Sequence, residues 1–84
     1  MIIVLDRVFL RHPDLVVSDV KAAWKARIKT QYRLSDEKPY LVAVGVAPSG
    51  RLVELIAFED GKDIVIFHAL TPPTKKLLHE LRML

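Results

Sequence analysis

A chain of 84 residues with 51% apolar side chains is long enough for one domain around one modest core and too apolar for a disordered tail. It has no cysteine, which excludes a disulfide scaffold and thiol chemistry, and its apolar start, Met1 to Leu5, is broken at once by Asp6-Arg7, too soon for a signal peptide or a membrane span. The formal charge of +3 is unevenly spread: residues 1–38 hold eight Lys/Arg against five Asp/Glu, residues 39–70 two against four, and residues 71–84 three against one. A single soluble cytoplasmic domain over 1–84 is the expectation, with no membrane contact. Its basic flanks are suited to nucleic acid or an acidic protein partner.

Residues 2–5 are a short all-apolar run, read as a buried strand. Asp6 is placed to cap a short helix that stops before His12-Pro13. Ser18 is an N-cap for a second helix, with Asp19 in its first turn, where a carboxylate suits the helix dipole. Val20, Ala23, Trp24 and Ile28 fall at helical spacing on one face, and Lys21, Lys25 and Lys29 on another. Residues 29–39 read as a polar connection. Tyr40 to Val46 is then a strand, Pro48-Ser49-Gly50 a turn, and Arg51 to Phe58 a second strand. Asp60-Gly61 closes a hairpin onto a third strand, Lys62 to Leu70, whose run Ile64-Val65-Ile66-Phe67 is apolar on both faces and suits an interior position. Thr71 with Pro72 starts a last helix. On it Leu77, Leu78 and Leu81, with Leu84 beyond, face the core, and Lys75, His79 and Arg82 form a cationic stripe. The expected class is α+β: a three-stranded antiparallel meander plus a short N-terminal strand, in the order β-α-α-β-β-β-α, with the helices on one sheet face.

No phosphate loop or nucleophile elbow is present, and the three histidines lack zinc spacing, so neither a metal nor a cofactor is expected. His68 is the leading candidate for proton transfer near neutral pH, set against a half-buried histidine bonded to a backbone carbonyl. Strict alternation places it with Ile64, Ile66 and Leu70, opposite Val65, Phe67 and Ala69. Glu54, among apolar neighbours, is a reserve base or the partner of a cation. Lys75, Lys76, His79 and Arg82 on the last helix, and Lys25 on the second, are candidate phosphate contacts or ordinary solvated faces. Trp24 belongs to the core rather than to a base stack, Tyr40 is a candidate for stacking, and His12 is read as a cap of its helix, with a catalytic role the less favoured alternative.

The segments Arg11-His12-Pro13-Asp14-Leu15, Ser18-Asp19-Val20, Ala23-Trp24, Ser49-Gly50-Arg51-Leu52 and His68-Ala69-Leu70-Thr71-Pro72-Pro73-Thr74-Lys75-Lys76 together resemble the BrnT-like branch of the RelE/ParE toxin superfamily over nearly the whole chain. The resemblance implies the toxin of a bacterial type II toxin–antitoxin pair: a metal-independent endoribonuclease that binds RNA in a cleft and is covered by a cognate antitoxin. His68 would then be acid or base, Lys75, Arg51 and Lys76 the cations at the phosphate, and Glu54 the reserve base. The sequence departs from the pattern at Leu70, where such toxins commonly carry an arginine. The alternative expectation is a non-catalytic RNA- or protein-binding module of the same fold, or a homodimeric regulatory domain.

Overall fold

A computed structural model of the chain describes residues 1–34 and 37–84. The described residues form strands β1 (Ile2–Val4), β2 (Arg27–Arg33), β3 (Tyr40–Val46), β4 (Leu52–Asp60) and β5 (Asp63–Leu70), with helices α1 (Arg7–Arg11), α2 (Val17–Lys25) and α3 (Lys75–Glu80). The class is α+β, with one five-stranded mixed sheet in the order β1-β5-β4-β3-β2. The expected meander is present as β3, β4 and β5, antiparallel throughout. β5 is interior, as its two-sided apolar run required, because β1 adds to its other edge in parallel.

The first part of the segment read as a polar connection, Lys29 to Arg33, belongs to the antiparallel edge strand β2 (Arg27–Arg33). It lacks an apolar face because it lies at the sheet's rim. There Lys29, Gln31 and Arg33 alternate with Ile28, Thr30 and Tyr32, and only Gln31 and Arg33 are half-buried. Ile28 therefore belongs to this strand rather than to α2, and it is exposed. α2 itself starts one residue before Ser18, with Val16 at the N-cap and no side-chain cap. Asp19 is in its first turn and Trp24 is buried, both as expected.

The helices cover both faces of the sheet, not one. Val8, Leu15, Val20, Ala23 and Trp24, from α1, α2 and the loop between them, pack on Leu41, Ala43, Leu55, Ala57, Ile66 and Ala69. On the opposite face Leu77 and Leu81 pack on Val42 and Val44. α3 begins later than Thr71-Pro72 because the two threonines have different partners. Thr71 donates its hydroxyl to the Leu52 carbonyl (2.7 Å), while the Thr74 hydroxyl accepts from Leu77 N–H (3.2 Å) as the N-cap. Arg33 and Gln31 hold its far end: the guanidinium grips both Glu80 carboxylate oxygens (2.8 and 2.6 Å) and the amide donates to the Glu80 carbonyl (3.0 Å). Leu84, expected at the core, is exposed beyond the helix end. Among the described residues no helix is long and apolar enough to cross a membrane.

α2 lies close on β3 because Gly45 has no side chain. A Cβ there would be driven into the Ala23 carbonyl, which is backbone and cannot rotate away. Gly45→Ala is expected to cost about 3 kcal/mol, the upper end of ordinary overpacking. Urea unfolding checks this, and an unchanged midpoint would show that α2 can lift from the sheet freely.

Candidate functional site

Regular alternation along β5 fails at one point. His68 stands opposite Ile56, but Ile66 stands opposite Ala57, so Phe67 is an extra residue with no partner on β4. This β-bulge turns two consecutive side chains to one side. Ile64, Ile66 and Ala69 join the core under α1 and α2. The Phe67 ring instead meets Phe58 and Tyr40, and His68 pairs with Ile56 and bonds to Glu54 on the α3 side. The strict alternation expected for β5 therefore holds only up to Phe67.

β1 covers only the first part of β5, pairing with Ile64, Val65 and Ile66. The chain then turns through Asp6 into α1, which runs beside the uncovered part of the strand. A cleft of about 280 Å³ opens there, lined by Arg7, Arg11 and His12 from α1 and its end and by Ile56, Phe67 and His68 from the sheet. Arg7 and Arg11 are four residues apart and share a helix face. His12 is the helix C-cap, its N–H donating to the Val8 carbonyl at 3.1 Å. Its ring stands edge-on to that of His68, with centroids 6.4 Å apart.

Behind His68 lies Glu54, a charged residue only 4% exposed. Its Oε2 is 2.7 Å from His68 Nε2, and its Oε1 accepts from both the backbone N–H and the hydroxyl of Thr74, each at 2.8 Å. Burial pushes this carboxyl upward, but the hydrogen bonds from His68 and Thr74 outweigh it and hold the group below the usual carboxylate range. An ionised carboxylate only accepts. Nε2 must therefore carry the proton, and a neutral His68 keeps its lone pair on Nδ1. With both oxygens engaged, Glu54 is placed to orient His68 rather than to act as a free base.

The other candidates do not gather here. Arg51, in the turn before β4, lies 3.6 Å from Asp14 and is outside the cleft lining. Lys75 follows the Thr74 cap and is exposed. Lys76 and His79 line a separate, shallow groove with Arg33 and Glu80, where the Arg33 guanidinium holds the Glu80 carboxyl below its usual range. Arg82 lies past the end of α3 in a left-handed conformation (φ 58°), so the expected stripe ends at His79. Lys25 is exposed in the last turn of α2. The cations that do line the cleft, Arg7 and Arg11, do not stand out in the sequence. Their spacing of four on a short helix is the available signal. Among the described residues no three His, Cys, Asp or Glu side chains are placed to hold a metal ion together. Comparison with family models, curated proteins and solved structures returned no match.

Proposed function

We propose that the chain is a toxin-type endoribonuclease that cleaves single-stranded RNA by transesterification, without a bound metal. The observation that carries this reading is the pair of imidazoles, His12 and His68, edge-on with centroids 6.4 Å apart in a cleft lined by Arg7 and Arg11. Such a reaction needs a base at the 2′-hydroxyl, an acid at the leaving 5′-oxygen and cations at the non-bridging oxygens. His68 suits the base, because Glu54 retains its Nε2 proton and stabilises the imidazolium formed when Nδ1 takes the hydroxyl proton. The 2′-oxygen bonds to phosphorus, the bond from phosphorus to the 5′-oxygen breaks, and His12 supplies the proton to that oxygen. Arg7 and Arg11 balance the charge on the phosphorane. Lys75 and Lys76 are then contacts for more distant phosphates rather than for the scissile one.

A neutralising protein partner belongs to the same reading. Its support is the outer edge of β2, which carries Arg27 and Lys29 beside exposed Ile28 and Tyr32. An acidic extended segment would complement that edge as an added strand.

The purified protein, incubated with a single-stranded RNA in excess chelator, should yield products ending in 2′,3′-cyclic phosphate and 5′-hydroxyl. The all-deoxy oligonucleotide of the same sequence should be bound and left intact. Absence of RNA cleavage from mildly acidic to mildly basic pH would overturn the enzymatic reading, and cleavage of the deoxy strand would overturn the transesterification.

A further inference from the structure

Three aromatic side chains from adjacent strands meet beyond the footprint of α3. Tyr40 on β3 stands with its ring centroid 5.2 Å from that of Phe67 on β5, at 60°. Phe58 on β4 lies 5.9 Å from Phe67, at 36°. Their position follows from register. Tyr40 is two residues beyond Val42 on β3, and Phe58 two beyond Ile56 on β4. Val42 packs in the cluster that α3 covers, with Ile56 against it, so the rings share that face farther along the sheet. Each ring is half-buried and keeps part of its surface open. Two cations lie over them: the Arg7 guanidinium carbon is 5.5 Å from the Phe67 centroid, and the Lys38 ammonium 3.8 Å from that of Phe58.

We infer that Tyr40, Phe58 and Phe67 are a stacking platform for an unpaired nucleobase next to the phosphate held in the cleft. This rests on the nucleic-acid reading above and adds the chemical class of the ligand, a single strand with at least one unstacked base beside the reacting phosphate. Two residues join the platform to the cleft. Phe67 lines both, and the bulge points its ring to the same side as His68. Arg7 lies over the Phe67 ring and also lines the cleft. Rings interleaved with cations are the general means of holding single strands, because every base has a π-face and every nucleotide a charge. A duplex keeps its base faces stacked on one another and offers none to Phe67. The outer rings differ in role, for Tyr40 extends the stacking surface whereas Phe58 supports Phe67 from β4.

The test uses an all-deoxy oligonucleotide, so that binding is read without cleavage, in single-stranded form and as a blunt two-strand duplex. Phe67→Leu should weaken single-strand binding roughly tenfold or more, and Tyr40→Leu by less. Duplex affinity and the salt dependence of binding should be unchanged, because phosphate contacts set both. Phe67→Tyr should restore single-strand binding, which a merely structural loss at this position would not allow if Phe67→Leu retains its melting temperature. Wild-type affinity in Phe67→Leu would overturn the platform. Equal loss of single-strand and duplex binding would overturn it too. Either result leaves the cleavage reading standing if RNA is still cut, whereas a wild-type protein that binds neither form and cuts no RNA overturns both.

Discussion

His12→Ala and His68→Gln should each slow RNA cleavage by about 10²–10⁴-fold, the usual contribution of a positioned general acid or base. The substitutions differ for a structural reason. His12 sits at the end of α1 and holds no buried charge, so truncating it removes a proton donor and little else. His68 shields a carboxylate that is 4% exposed, so His68→Ala would leave Glu54 Oε2 buried without a partner. Glutamine keeps a donor there and removes only the titrating ring. Both variants should bind the uncleavable strand about as tightly as wild type, because the arginines and the rings remain. If the two act as base and acid, each single variant should lose one limb of the pH–rate profile, and the double variant should be little slower than either alone. Wild-type rates in both variants would remove the imidazole pair from the mechanism. Arg11→Ala would then show whether the cleft holds phosphate at all, through loss of affinity and a shallower salt dependence.

Glu54→Ala should cost about 3–5 kcal/mol of stability, as expected when one member of a buried, hydrogen-bonded pair is removed. Three interactions end on this carboxylate: one from His68 and two from Thr74. Thr74 is in turn the cap of α3, so the substitution loosens the helix that closes the sheet's second face. Glu54→Gln should cost less, because an amide can still meet Thr74, and it isolates the charge. The folded carboxyl lies below the ordinary 4.5, so its contribution is complete above that value and is lost as pH falls through the folded one. The stability gap between wild type and Glu54→Gln should therefore be present at about pH 5 and shrink as pH falls below about 4.5. Glu80, held down by Arg33, also destabilises the fold on acidification. That loss is common to both proteins and largely cancels in the difference, the charge of Glu54 being only the smallest influence on Glu80. Urea unfolding on either side of about pH 4.5 decides the matter, and a gap that does not shrink on the acid side would show that the ionised carboxyl is not what stabilises the site. Glu54→Gln should also lower kcat more than it raises KM, because a glutamine can no longer specify the His68 tautomer.

The parts of the fold that local chemistry dictates are legible in the sequence. Tyr40–Val46 has an apolar run of strand length, Asp60-Gly61 supplies a left-handed glycine (φ 60°), and the leucines of α3 recur at helical spacing. β2 is not legible, because a rim strand buries little and its sequence resembles a charged loop. The end of α2 is obscured for a related reason: Ile28 continues the helical spacing but belongs to that strand. The second layer is also hidden, because a helix's apolar stripe requires a sheet face without specifying which one.

At the site the division is sharper. Sequence alone singles out His68 and Glu54 as titratable groups among apolar neighbours, on strands joined by a tight turn. It sets the apolar run that makes β5 interior and the shortness of β1 that leaves part of β5 uncovered. Only the tertiary structure decided what those residues face. The bulge at Phe67 breaks a two-residue period that sequence reasoning must assume, and it alone puts Phe67 and His68 on one side. The placement of Arg7, Arg11 and His12 against β5 depends on where the chain turns after three residues of parallel pairing, a packing outcome that no local pattern encodes. The cations that local pattern favours, on α3 and at Arg51, lie elsewhere because charge on a helix face reports exposure to water, whereas a site is defined by which exposed groups converge.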